Sequence, residues 1–354
     1  MAKRSDKKDV IPLNMAWDPN KTVVVKTGLR PIDSLLDGGI ELGSKTMLLG
    51  ESGVGKSSIA IQMCTELCAQ GYKSIYIDTE NSVSQQMVRS IGLENYINNC
   101  DEGSGGVFIH KVSSYQEVED IIDQYLNSNQ IKISVIFIDS FAGLISNCYT
   151  NIGDKHQSVV NSNTNFESRP ATIFMTKYTA LASKNKVAFI YTNQYRTKLD
   201  FKNNQSSSKE YGSKAIRYNM DTLIKVSQHY NSKDEVNLDF DNAVKLELKI
   251  VKSNKLNPNT ATCCYLEYGK GINERMSLID DLIKNNIIHK NGSYYAITIK
   301  DEEYKFQGIN KMYDFISKKY DEIKKQFELE VQEEVFIIEK TLGGIDSDYE
   351  EDYE

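Results

Sequence analysis

Between Thr27 and Asn273 short, almost wholly apolar runs alternate with stretches of helical character. The runs at 46–49, 74–78, 135–139 and 187–192 are separated by such stretches, the pattern of parallel strands buried on both faces. Three further runs, 221–226, 245–251 and 263–268, follow one another closely, which predicts antiparallel strands at one edge. Ahead of the first run, Pro31 opens a short helix over 31–36 that Gly38 and Gly39 stop. A glycine-rich turn follows 46–49, and the helix after it runs to about residue 69. The pattern predicts an α/β fold with a mixed, mainly parallel sheet flanked by helices.

The flanks read differently. Residues 1–24 are polar, contain Pro12 and Pro19 and lack helical periodicity, so they are expected to form an N-terminal arm. Residues 274–340 read as a helix, a short hairpin from Ile288 to Tyr294, and two helices rich in Lys, Glu and Tyr. This predicts a small α+β C-terminal domain after a core over 25–273, with an acidic tail over 341–354. No repeat of fixed period is present in the 354 residues.

A hydrophobic share of 40% and a charged share of 26% exclude wholesale disorder. No apolar run approaches the roughly 18 residues that span a bilayer, and no apolar segment follows the charged N-terminus, so a cytoplasmic protein is expected. The net charge of −7 argues against a nucleic-acid binder until its placement is considered. Six carboxylates lie in the last nine residues, which leaves the body close to neutral and free to carry a basic face. The six cysteines form no C-x-x-C pair and the four histidines are scattered, so neither a zinc site nor a disulfide framework is expected.

Gly50-Glu51-Ser52-Gly53-Val54-Gly55-Lys56-Ser57 satisfies G-x-x-x-x-G-K-[ST], follows an apolar strand and opens a helix with Ser58 next in line. Glycines let the backbone curl with its N–H groups inward, and the helix N-terminus adds positive potential for an anion. Lys56 is then placed for the β- and γ-phosphates of ATP and the Ser57 hydroxyl for Mg²⁺. Asp139 ends a strand reading Val-Ile-Phe-Ile, where a carboxylate can hold the magnesium ion through water. Asp78 and Glu80 both stand at the end of another strand, and either can orient or deprotonate an attacking water. Asn193 and Gln194 end a further strand. The segment 196–217 that follows carries six basic and two acidic residues with few large apolar ones, the composition of a single-strand nucleic-acid loop or of a solvated surface loop.

Taken in order, these segments resemble the RecA recombinase family, including its phage branch of UvsX-like proteins. The resemblance rests on T-G-L-R-P-I-D-S-L-L (27–36), the P-loop, Y-I-D-T-E (76–80), F-I-D-S-F-A-G-L (137–144), I-G-D-K-H (152–156), T-N-Q-Y-R (192–196), I-V-K-S-N-K (250–255) and Y-G-K-G-I-N (268–273). It implies a RecA-like P-loop NTPase core and a DNA-dependent ATPase. Such a protein polymerises as a helical filament on single-stranded DNA, pairs it with homologous double-stranded DNA and exchanges strands. Single-strand-binding and mediator proteins are the accessory partners it implies, and a host cytoplasm is the location if the origin is a phage.

Carried over by residue, the resemblance selects Glu80 as the catalytic glutamate and makes Gln194 the link between ATP and the second DNA loop. It implies DNA loops at about 150–166 and 196–211. Arg196, Lys198, Leu199, Phe201, Lys202, Lys209, Gly212, Ser213 and Arg217 are the expected DNA-binding residues, with Leu199 or Phe201 wedging between bases. Tyr268 and Gly269 are expected to line the nucleotide base, and Lys252 to reach the γ-phosphate held by a neighbouring protomer. The family's second interface lysine lies two residues after the first. Here Asn254 stands there and Lys255 comes one later, which on a strand turns the side chain to the opposite face. Ser84 and Met87 occupy adenine-contacting positions where bacterial members carry Asp and Tyr, the N-terminal region is shorter, and extra residues near 157–166 lengthen the first DNA loop. Two other readings compete: a ring motor or helicase on the same fold, and a non-filamentous, ATP-switched DNA-binding mediator.

Overall fold

The structure is a computed structural model that describes residues 22–128, 131–144, 168–200, 205–210, 214–229, 242–300 and 302–326. The N-terminal arm, the first DNA loop, Phe201, Lys202, Gly212, Ser213 and the acidic tail therefore lie outside the described residues, Thr22, Val23 and Val24 apart.

In chain order the strands begin with β1 (Val24–Val25), β2 (Ile40–Glu41), β3 (Lys45–Gly50), β4 (Lys73–Asp78), β5 (Gly106–Lys111) and β6 (Val135–Asp139). They continue with β7 (Ala188–Asp200), β8 (Gln205–Glu210), β9 (Thr222–Gln228), β10 (Ala243–Ser253), β11 (Ala261–Glu267) and β12 (Gly271–Ile272). Helices α1 (Arg30–Leu35), α2 (Lys56–Ala69), α3 (Gln85–Ile91), α4 (Tyr115–Asn127), α5 (Ser168–Asn185) and α6 (Lys214–Asn219) connect them. The large sheet has the order β12-β11-β10-β9-β3-β7-β6-β4-β5, with β8 paired to β7. Its centre is parallel, because β3 pairs in parallel with both β7 and β9, and β6 does so with both β7 and β4. Such strands need an apolar side chain on either face. Leu48, Leu49, Ile75, Ile77, Ile136 and Ile138 are correspondingly buried. One buried cluster joins β3, β4, β6 and β7 to α4 and α5 through Val118, Ile122, Phe174, Tyr178 and Phe189.

Three expectations are corrected. The run at 221–226 is antiparallel to β10, as expected, but as β9 it is also the parallel neighbour of β3, so it lies inside the sheet and not wholly in an antiparallel edge. The reason is α6, a helix inside the stretch read as a loop, which returns the chain so that β9 enters the sheet parallel to β3. The basic segment is likewise no simple loop. Strand β7 continues past residue 192 to Asp200 and pairs antiparallel with β8 as a hairpin.

The third correction concerns the C-terminal part. Contacts divide the chain into Met1–His229 with Lys245–Ile272, and Tyr230–Val244 with Asn273–Glu354. The second unit holds α7 (Glu274–Lys284), an antiparallel sheet β13 (Ile288–Asn291), β14 (Tyr294–Ile299) and β15 (Glu302–Gln307), α8 (Ile309–Lys318) and a helix over 320–326. The expected two-stranded hairpin thus has a third strand. Strand β15 is rich in charge, and Tyr304 and Phe306, two apart, pack with tilted rings on Phe315 at 4.8 and 4.7 Å between ring centroids. That spacing of two is a strand's and not a helix's. Among the described residues no helix is long and apolar enough to cross a membrane.

Candidate active site

The phosphate motif folds as its glycines require. Strand β3 ends at Gly50, and α2 begins at Lys56 with no side chain capping its N-terminus. The first-turn N–H groups therefore face the loop, an arrangement that favours an anion. Gly55 has φ +103°, and a Cβ there would lie 2.3 Å from Leu266 Cδ2; a Cβ on Gly50 would lie 2.4 Å from the Val226 carbonyl oxygen. Neither position admits a side chain, for reasons of space in one and of space and backbone conformation in the other. Glu51, Ser52 and Gly53 are exposed, and Val54, Ser57 and Ser58 half-buried. Lys56 is buried and turns back on the loop, donating to the carbonyls of Gly50 (3.1 Å) and Glu51 (2.6 Å). Burial pulls its ammonium pKa below the ordinary lysine value, against the opposing pull of Asp139, Glu80 and Glu51.

Asp139 sits at the end of β6, between β4 and β7. Its Oδ2 accepts from the Tyr76 hydroxyl at 2.8 Å, its Oδ1 accepts from the Thr192 hydroxyl, and the Ser57 side chain also hydrogen-bonds to it. Burial raises the Asp139 pKa above the usual carboxylate value, and these three hydrogen bonds oppose the shift. Glu80 lies beside it. The Gln194 amide donates to Glu80 Oε1 at 2.9 Å and Oε2 at 3.1 Å, and the Ser140 hydroxyl donates to Oε1. Asp78 is turned away. Its oxygens accept from the backbone N–H groups of Ser82 (3.0 Å) and Val83 (3.1 Å), so it braces the loop after β4. Asn193 is buried, and its side-chain oxygen accepts from the Gln194 N–H.

The turn between β11 and β12 is tied to α2 and α3. Gln62 of α2 bonds the N–H and C=O of Ile272 at 2.6 and 3.0 Å, and the Ser90 hydroxyl of α3 donates to the Gly269 carbonyl. Tyr268 is 66% exposed at its tip. Ser84 accepts from the Met87 N–H at 3.1 Å as the cap of α3. The structure therefore gathers Lys56, Ser57, Asp139, Glu80 and Gln194 around the loop, with Gly269 held to α3 and Tyr268 exposed beside it.

Lys252 is elsewhere. A bulge between Ile250 and Lys252 shifts the register of β10, and the Lys252 ammonium donates to the carbonyls of Arg217 (3.1 Å), Tyr218 (2.8 Å) and Met220 (2.5 Å) at the end of α6. Lys255 is not on the strand at all, which corrects the face argument: β10 ends at Ser253, and Lys255 ion-pairs with Glu41. Asn254 bonds Asp221 Oδ1 at 3.2 Å. In the hairpin, Arg196 is paired with Lys209, Lys198 with Ser207 and Leu199 with Ser206, and Arg217 is exposed on α6. Sequence reasoning missed Tyr76, Thr192 and Ser140. The available signal was a hydroxyl interrupting an apolar strand two residues before a polar strand end, as in Tyr76 before Asp78 and Thr192 before Gln194.

A P-loop leading from a central parallel strand into a helix, with a carboxylate ending the strand two places away and a glutamate beyond the strand next to that one, defines a P-loop nucleotide-binding core. The family model described as the RecA N-terminal domain matches residues 2–273. The chain is 27% identical over 274 residues to Protein RecA of Oleidesulfovibrio alaskensis, covering 77% of this chain and 73% of that one. It is 26% identical over 310 residues to Protein RecA of Mesoplasma florum, covering 86% of each. It is 24% identical over 309 residues to the mitochondrial DNA repair protein recA homolog 3 of Arabidopsis thaliana, covering 83% of this chain and 65% of the relative. The chain belongs to the RecA family and is a RecA-type recombinase.

Proposed function

We propose that the chain is a DNA-dependent ATPase that assembles as a helical filament on single-stranded DNA, pairs it with homologous double-stranded DNA and promotes strand exchange. The observation that carries this reading is the Glu80–Gln194 pair. Gln194 bonds the proposed catalytic carboxylate, and two residues further along the same strand the basic hairpin begins. A change at Gln194 is thereby passed along one continuous strand to the hairpin.

In this reading the amides of Gly50 to Ser58 and the Lys56 ammonium hold the phosphates, and Glu80 orients the attacking water and takes its proton. Lys56 leaves its two loop carbonyls to do so. Ser57 and Asp139 would hold Mg²⁺, and their all-oxygen donor set at a buried carboxylate suits a small hard cation. When bound, the ion neutralises charge on the phosphate oxygens. Tyr268 and Gly269 line the base. Arg196, Lys198, Lys202, Lys209 and Arg217 contact DNA phosphates, Gly212 and Ser213 adjoin the backbone, and Leu199 or Phe201 enters between bases. Lys252 acts on a neighbouring protomer's nucleotide. The core over 25–273 carries all of these residues, and the C-terminal domain and tail follow it.

A second reading, the non-filamentous mediator, is favoured by one observation: Asn254 and Lys255 are engaged within their own chain by Asp221 and Glu41. The test is Gln194→Ala. Retained nucleotide affinity with loss of DNA-stimulated turnover supports the coupled recombinase, whereas unchanged stimulation overturns the coupling.

A further inference from the structure

We propose that Tyr76 and Thr192 are positioning residues whose hydroxyls fix the Asp139 carboxylate for its divalent cation, an inference that rests on the nucleotide-binding reading above. Both side chains lie within 1% of full burial, on β4 and β7, the two strands that flank Asp139. Each donates to a different oxygen of the carboxylate. An aspartate at a strand end is otherwise free to rotate about its side-chain bonds. Two donors arriving from opposite sides leave it one orientation, and each oxygen keeps a further lone pair for other partners.

Packing does not call for either hydroxyl. The Tyr76 ring stacks on Phe137 at 5.6 Å between centroids and 17° between planes, a contact that a phenylalanine makes equally well. Thr192 follows Phe189, Ile190 and Tyr191 in an apolar strand, where valine has the same shape. A buried hydroxyl without a partner is destabilising, so these two are explained by the carboxylate they serve. Partners that orient a metal-binding carboxylate typically change metal affinity by about 10–100-fold when removed.

The test uses the full chain and a fluorescent, non-hydrolysable ATP analogue, titrated with magnesium from an EDTA baseline. Tyr76→Phe and Thr192→Val are each expected to raise the half-saturating magnesium concentration about tenfold, with the EDTA baseline affinity unchanged and Thr192→Ser restoring the wild-type value. Each variant is read alone, so one that folds suffices. An unchanged half-saturation overturns the proposal, as does an equal loss of affinity with and without magnesium, which marks general damage. A wild-type chain that shows no magnesium-dependent binding overturns the nucleotide-site reading beneath it.

Discussion

Replacing Lys56 by methionine separates the site from the fold. The lysine side chain is buried, and its ammonium spends two hydrogen bonds, at 3.1 and 2.6 Å, on its own loop carbonyls. Burial nonetheless lowers its pKa, so the fold gains little from the charge itself. A phosphate charge at about 4 Å and an effective dielectric of about 20 is worth about 4 kcal/mol to that ammonium, or about a thousandfold in affinity. Lys56→Met should therefore weaken binding of a non-hydrolysable ATP analogue by about that factor and abolish DNA-stimulated hydrolysis. Stability should respond differently. A lysine whose folded pKa lies below its unfolded value binds fewer protons folded than unfolded between the two. Wild-type stability then gains a contribution as pH rises through that interval toward the ordinary lysine value of about 10.4, and the variant lacks it. Equilibrium binding and urea melts at pH 7.5 and 9.5 measure both effects. Tight nucleotide binding, or DNA-stimulated turnover, in a folded Lys56→Met protein would refute the reasoning.

Three further outcomes follow from the geometry. Gly55→Ala, with φ +103° and Leu266 Cδ2 2.3 Å from the new Cβ, should lower stability by about 2 kcal/mol or more, seen as a lower urea midpoint at unchanged slope. Lys252→Ala removes the cation that caps α6 and should cost about 1–2 kcal/mol; analogue binding by the isolated protomer should stay the same while turnover on long single-stranded DNA drops. Phe174→Ala, in the middle of the α5 cluster of rings, should cost about 3–5 kcal/mol without changing the magnesium dependence of nucleotide binding.

The chemistry at strand ends was legible because it follows from local pattern. A glycine-rich turn after an apolar run has few other uses, and Asp139, Glu80 and Gln194 each follow such a run. Asp78 and Glu80 were indistinguishable by spacing. The backbone N–H groups of Ser82 and Val83, which occupy Asp78, belong to a loop whose path no periodicity describes. The parallel placement of β9 was hidden because α6, only one turn and a half long, lies in a basic stretch without an apolar stripe. Strand β15 was hidden by its charge, since Lys and Glu favour helices where packing does not decide. Tyr76 and Thr192 passed as ordinary strand residues, because tyrosine and threonine favour strands whatever their hydroxyls do. The bulge that re-aims Lys252 is likewise a pairing event, set by β9 as much as by β10.

The most direct test of the account is the ATPase rate measured without DNA, with long single-stranded DNA, and with oligonucleotides too short for several protomers. The account links the catalytic glutamate, through Gln194 of β7, to the basic hairpin that the same strand enters, and completes the site with Lys252 from a neighbour. It predicts strong stimulation that grows with DNA length. A rate indifferent to DNA, or stimulated equally by the shortest oligonucleotide, would contradict it.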